Sequence, residues 1–395
     1  MSDLRGLASA YLQALERLNR DVRLFMVSAL VAGTCYMGLY FLLINLYLLR
    51  LGYDIEFIGI FVSTGAFSFA VFSLPAGIAG RHFGSRRPMI FGMSVLMLGL
   101  GMLALSAWVP ADLCSGWLIF FCALREFGNA FYIVNSSPYL MGATSVGERD
   151  YAFSLRAILT PLAGFFGTLI GGFLPRLSQL YFGWSADDPL NYMAPLLISS
   201  LLLLPGIVAL WAMREIAIEE SPQDNALRGK MPLEAFLVIA VVSVFFIVAA
   251  SAGQSFYHVY MDTVLESTPQ LIGAIASCGQ LLTAVLMLVA PILMERWGHA
   301  RTFVLVGLCM GVSLLPMALV SHWLAVGLSV VAVVVLMNFS STVLTVFHQQ
   351  LVPAGWRPAM SGVSLMAMGI GWGIVSSGGG YFVAVWGWRL FFLLA

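Results

Sequence analysis

Charge is what this chain has least of: Asp, Glu, Lys and Arg make up only 10% of its 395 residues. A soluble domain carries about a quarter. With 60% hydrophobic residues and a mean hydropathy of +0.93, the chain cannot coat a water-soluble globule. Its formal net charge is zero, which leaves no bulk field to gather nucleic acid. Cysteine is scarce as well. Cys35, Cys114, Cys122, Cys278 and Cys309 are scattered and odd in number, so neither a disulfide framework nor a metal site follows, and they read as small buried hydrophobes. The phosphate loop Gly-x-x-x-x-Gly-Lys-Ser/Thr does not occur, nor does a nucleophile–base pairing or a metal-ligand cluster. These gaps argue against an enzyme and imply no cofactor and no metal.

What is present is apolar length. Backbone groups in lipid must be satisfied internally, and about 20 apolar residues cross the hydrocarbon core as a helix. Spans are expected at 24–50, 57–79, 88–109, 115–141, 152–175, 191–213, 233–260, 269–294, 302–320, 323–349 and 358–383. Trp388-Arg389-Leu390-Phe391-Phe392 then reads as the start of a twelfth span that is truncated at Ala395. Residues 1–23 hold seven charged side chains and a helical recurrence of Leu4, Leu7, Tyr11, Leu12, Leu15 and Leu18; they read either as an amphipathic helix on the membrane surface or as a frayed tail. The organisation expected is that N-terminal segment (1–23), a six-helix half (24–213), a polar linker (214–232) and a second half (233–395). With the N-terminus inside, fourteen of the nineteen Lys and Arg residues fall in inner segments and three (Arg50, Arg176, Arg389) in outer ones. That imbalance predicts a cytoplasmic N-terminus.

The halves also look alike. Gly80-Arg81-His82-Phe83-Gly84-Ser85-Arg86-Arg87-Pro88, between spans two and three, has an altered copy in Glu295-Arg296-Trp297-Gly298-His299-Ala300-Arg301, 214 residues on from Gly84 to Gly298. The glycine run of span five (Gly164, Gly167, Gly171, Gly172) answers that of span eleven, with Arg149 and Arg357 ahead of them at an offset of 208. An internal repeat of this kind is common among secondary transporters. Glycines three and four apart let helices approach closely, so the four in span five are expected to pack it.

These residues resemble the major facilitator superfamily, over the whole chain. Gly77, Arg81, Gly84, Arg86 and Arg87 match its signature loop between helices two and three, while Gly80 stands where the family usually has an aspartate. The resemblance implies an all-α fold of two six-helix bundles. It also implies a gating role for this loop and for Glu295, Arg296, Gly298 and Arg301. As solvated arginines they serve equally as topological anchors on lipid phosphate. Arg125 and Gly128 in span four are similar to a family position linked with proton coupling. Gly167-Thr168-Leu169-Ile170-Gly171-Gly172 looks like the antiporter glycine motif, with Thr168 in the place of a proline.

Charge deep in a span costs about 2.5–3.5 kcal/mol, and only Arg125 and Glu126 sit so deep. Arg125, Asn129, Tyr132 and Ser136 share one helical face; Glu126 is turned about 100° away, so the two charges need not pair. Either they lock helices together or they work, Arg125 on an anionic group and Glu126 on a proton. Span seven aligns Ser251, Gln254, Tyr257 and His258; span ten Asn338, Ser341, Thr342, Thr345 and Gln349; span one Thr34, Gly38, Phe41 and Asn45. The resemblance makes spans one, four, seven and ten the lining of a central path. His258 is a titratable candidate near a helix end, with His322 and His348 weaker ones. Asp262 and Glu266 read as solvated residues of the outer rim. Tyr36, Tyr40, Tyr47, Tyr132 and Tyr257 are aromatic enough to stack on a ligand but suit helix interfaces equally.

The expected function is secondary transport of a small polar or amphipathic solute by alternating access, driven by protons, with Glu126 as the protonated group. An uncoupled facilitator and a non-transporting receptor with the same fold are the alternatives. The expected partners are that solute, protons and membrane lipids, with no nucleic acid. The expected setting is a monomer in the plasma (inner) membrane.

Overall fold

Short polar caps and prolines punctuate the apolar runs. Asn19 accepts the Val22 amide at 2.8 Å and Asp54 accepts the Phe57 amide at 2.9 Å, so each satisfies an orphan donor where a helix begins. Pro110, Pro189 and Pro269 stand at or just before other helix starts. A computed structural model describes residues 19–145, 149–185, 187–215, 233–351 and 357–394, and every regular element among them is helical. The N-terminal segment expected to be amphipathic (through residue 18) and most of the linker (216–232) lie outside the described residues.

The helices are α1 (Arg20–Arg50), α2 (Ile55–Phe83), α3 (Arg86–Ala104, prolonged by a 3-10 turn, Leu105–Trp108) and α4 (Ala111–Ala143). They continue with α5 (Arg149–Phe182), α6 (Leu190–Leu201 and Leu204–Ala212), α7 (Leu233–Thr263) and α8 (Pro269–Trp297). Last come α9 (His299–Ser313 and Leu315–Leu319), α10 (Trp323–Leu351) and α11 (Arg357–Leu394). Eleven stretches of these are long and apolar enough to cross a membrane, and each coincides with an expected span. Loops alternate between two faces: the near face, where α1 begins, and the far face, where it ends.

The repeat is visible in the backbone. Gly84, after α2, has φ 78° and ψ 164°; Gly298, before α9, has φ 77° and ψ 154°. Both lie where only glycine sits without strain, so the copied loop is copied in conformation. At the far face Gly183 (φ 71°) and Gly387 (φ 80°) are each followed by tryptophan, Trp184 and Trp388. Gly387 breaks α11, and the helical stretch after it packs Trp388 on Tyr260 (5.2 Å between rings) and Phe392 on Tyr260 (5.6 Å). A new element therefore starts at Trp388, as the repeat requires.

Helix packing rests on missing side chains. Residues Gly33–Tyr40 of α1 form a π-helical segment, where the Phe41 amide reaches back five residues to the Tyr36 carbonyl. Opposite it runs α5. A methyl on Gly167 would collide with the Thr34 carbonyl, and one on Gly38 with the Gly167 backbone. The glycine run of α5 thus does what close approach in lipid asks of it. The two halves, α1–α6 and α7–α11, meet along α2 with α11 and α5 with α8. Gly59 abuts Ser376 and Gly380, while Thr168 and Ser277 share a hydrogen bond of 2.8 Å. So Thr168, in the place of the antiporter proline, spends its hydroxyl on the seam between halves.

Gly167→Leu should lower the thermal midpoint of the detergent-solubilised protein, by the equivalent of about 1–3 kcal/mol for overpacking. Gly307→Leu is the control, because nothing stands within 4 Å of a methyl there; it should leave the midpoint unchanged.

Candidate functional site

The deep charges of α4 do pair. Arg125 Nη2 lies 2.8 Å from Glu126 Oε1, contrary to the freedom that their 100° separation allowed. A flexible arginine stem spans that angle easily, and lipid leaves an ionised neighbour few other partners. The pair is closed by a residue absent from the α4 face: Tyr36, from the π-helical segment of α1. Its hydroxyl donates to Glu126 Oε1 at 2.5 Å and accepts from Arg125 Nη1 at 2.8 Å. Asn129 Nδ2 donates to Glu126 Oε2 at 2.8 Å and approaches the same hydroxyl at 3.3 Å. Arg125, Glu126 and Asn129 are 4%, 7% and 7% exposed, so these bonds form away from solvent.

Aromatic faces complete the arginine's shell. Tyr36 and Tyr40 stack in parallel at 5.7 Å, and the guanidinium lies 5.3 Å and 4.4 Å from their ring centres. Such contacts strengthen where water is excluded. Backbone approach makes room: a methyl on Gly99 of α3 would stand 2.8 Å from Arg125 Cβ, and one on Gly65 of α2 would stand 3.1 Å from Arg125 Nη2. Arg125 Nη2 also reaches the Cys122 sulfur, which itself bonds the Phe61 carbonyl at 3.2 Å. Four helices of the first half therefore converge on one ion pair. Arg125 Nε and the Tyr40 hydroxyl remain buried without a hydrogen bond.

The other residues of the expected path are placed apart from this cluster. Tyr132 lies in the core of the first half, in the same apolar cluster as Phe25 and Met93, with its hydroxyl on Ser28. Asn45 crosses to the second half and donates to the Ser255 carbonyl at 3.1 Å. Gln254 donates to the Met337 sulfur, linking α7 to α10, and Asn338 donates to the Val334 carbonyl of its own helix. Tyr257 and His258 are buried with their rings 3.7 Å apart, and His258 Nδ1 has no hydrogen bond. The side chains of Thr342 and Thr345 lie outside the described residues.

Two expectations at the faces change. Asp262 is not a solvated rim residue: both its oxygens bond Arg50, at 2.9 and 3.1 Å, and join α1 to α7. In the signature loop, Arg86 is spent inside its own half. Its guanidinium donates to the Leu210 and Trp211 carbonyls at the end of α6, and its amide donates to Glu215. Arg87 and Arg301 are exposed, Gly77 is exposed, and the side chains of Arg81, Glu295 and Arg296 lie outside the described residues.

Gly80, in the place of the loop's aspartate, has a structural reason. Asn135 of α4 fills that space, donating to the Ala76 and Phe131 carbonyls, and a methyl on Gly80 would collide with its Oδ1. The acid is thus exchanged for an amide supplied by a neighbouring helix. Neither Asn135 nor Tyr36 stands out in the sequence as a member of these clusters, because each acts across a helix seam that periodicity does not reveal.

Among the described residues, eleven helices long and apolar enough to cross a membrane, in two repeated halves, define a polytopic membrane protein. Residues 24–376 match the model of the Major Facilitator Superfamily, and the chain belongs to that family. Its structure is similar to that of the nucleoside transporter NupG in a variant form, at 14% identity, covering 95% of this chain and 96% of that one with a TM-score of 0.74. It is also similar to a D-xylose–proton symporter (15% identity, 97% and 96% covered, TM-score 0.71). A POT family transporter in complex with 5-aminolevulinic acid is similar too (16% identity, 95% and 93% covered, TM-score 0.73). At these identities the likeness is one of fold. No sequence among curated proteins matches the chain.

Gly80→Asp alone should destabilise the protein, lowering its thermal midpoint and its yield in detergent. Combining it with Asn135→Ala should recover most of that loss. A double variant no better than Gly80→Asp would show that Asn135 does not occupy the missing side chain's place.

Proposed function

We propose that this protein is a secondary active transporter that moves a small polar or amphipathic solute by alternating access, with protons as the coupled ion. The two halves rock about a site near the middle of the membrane. Glu126 takes the proton and Arg125 is its partner. The observation that carries this reading is the buried bridge from Glu126 through Tyr36 to α1. Tyr36, Arg125 and Asn129 all donate to the carboxylate, so a proton added to Glu126 removes the negative charge that strengthens these three bonds and leaves the Arg125 guanidinium without a counter-charge. Protonation is thereby tied to the α1–α4 seam, and α1 meets the second half at Asn45 and Arg50. A protein of the same fold described as a proton symporter adds support by analogy.

The near face is cytoplasmic in this reading, from the excess of arginine in its loops, and the protein is a monomer in the plasma (inner) membrane. Lipid phosphate contacts the exposed Arg87 and Arg301 there. The polar residues apart from the ion pair bring no further charge to the path, which suits a solute with neutral polar groups. A second reading, an uncoupled facilitator, draws on the same cluster: Tyr36 and Glu126 already satisfy each other's polar atoms, as a structural lock would.

Proteoliposomes decide between them, once a thermal-shift screen of sugars, acids, amino acids and cationic drugs has supplied a solute. Glu126→Gln should lower accumulation driven by a pH gradient by about a hundredfold or more, as for loss of a positioned proton-transfer group, and leave solute exchange at equal pH intact. Normal pH-driven accumulation by the variant would sink the proton role. Accumulation by neither protein, with exchange by both, would favour the facilitator.

A further inference from the structure

The far face closes on one cation with two acids in reach. Arg50, the last residue of α1, bonds Asp262 of α7 through both terminal nitrogens, at 2.9 and 3.1 Å. This bond joins the two halves, and its members are 21% and 9% exposed at the side chain. The guanidinium rests 6.0 Å from the ring centre of Tyr192, on α6 of its own half. Its third nitrogen, Nε, makes no hydrogen bond, and Asp187 Oδ1 stands 3.4 Å from it. Asp187 belongs to the α5–α6 loop, again in the half that carries Arg50, and its side chain is 89% exposed.

We propose that Arg50 is handed from Asp262 to Asp187 when the far ends of the two halves part. Opening carries Asp262 away with α7, whereas Asp187 and Tyr192 travel with Arg50. A half-buried guanidinium stripped of its partner would oppose opening strongly, since a stranded charge costs more than its pair contributed. An acid already beside the idle Nε removes that obstacle. The bidentate, shielded bond to Asp262 favours the closed form; the solvated contact with Asp187 favours the open form more weakly. Asp187 therefore acts opposite to Asp262, although both touch Arg50 in the closed structure.

This inference rests on the rocking motion proposed above, but its test needs neither solute nor proton gradient. Cysteines at the exposed positions Tyr181 and Val264, one in each half at the far face, carry spin labels in protein whose exposed Cys278 and Cys309 are changed to serine. Double electron–electron resonance then reads the distance between them. Asp262→Asn should raise the population of the longer distance, about tenfold for loss of hydrogen bonds to a charged group. Asp187→Asn should shift the population toward the shorter distance, about twofold to fivefold for an exposed pair. It should do so again when added to Asp262→Asn, where the open form is well populated, while Asp187→Glu stays near wild type. If Asp187→Asn lengthens the distance, or leaves it unchanged in the Asp262→Asn background, there is no hand-over and Asp187 is part of the closed latch or a bystander. No response to Asp262→Asn also overturns the proposal. Two interconverting distances without any transported solute would instead refute the transport reading alone.

Discussion

An arginine and a glutamate on consecutive residues of a membrane-spanning helix cannot be left to lipid, and much of the first half is arranged around that constraint. Burial requires that Arg125 and Glu126 neutralise each other. Tyr36 and Asn129 supply partners for all their remaining polar atoms but Arg125 Nε, Tyr40 covers the guanidinium, and glycines on α2 and α3 let the pair sit close to the neighbouring backbones. Tyr36 and Tyr40 both lie in the π-helical segment of α1, an uncommon backbone that often marks functional sites. The same segment holds Gly38, whose contact with Gly167 brings α5 against it. Ion pair, helix geometry and glycine packing are thus parts of one solution.

The seam between the halves is built differently. It has no buried ion pair of its own among the described residues until the far face, where Arg50 meets Asp262. Elsewhere small residues and single hydroxyls do the joining: Gly59 on Ser376, Thr168 on Ser277, and Asn45 on the Ser255 carbonyl. Interactions of that strength are individually modest in membranes. Among the described residues the seam is thus many weak contacts and one salt bridge. Within the second half, by contrast, Ser243 with Ser364 and Ser255 with Ser376 tie α7 to α11 at two matching levels, each 3.0 Å apart.

The signature loop takes on a more local character than its likeness to a gate implies. Arg86 caps the end of α6, Glu215 sits over Gly84, and Asn135 fills the space beside Gly80. Its glycines at positions 84 and 298 share one left-handed backbone conformation, which identifies the loops as repeat mates independently of their side chains. The shared conformation follows from backbone sterics, because a positive φ with an extended ψ is open only to glycine.

Helix number and the repeat were legible in the sequence, since each follows from local quantities: apolar length against bilayer thickness, and glycine spacing. The membrane setting followed from the shortage of charge alone. Arg125 and Glu126 were legible as functional candidates for the same reason, their cost in lipid. Which residues would meet them was not. Tyr36 lies ninety residues from Glu126 and Asp262 lies 212 from Arg50, and period and spacing describe one helix at a time. That Gln254 of α7 would be spent on Met337 of α10, that the adjacent charges would pair, and that Asp262 would bridge the halves were decided only when helices met. Lipid fixes what each span must bury; only tertiary structure decides which partner satisfies it.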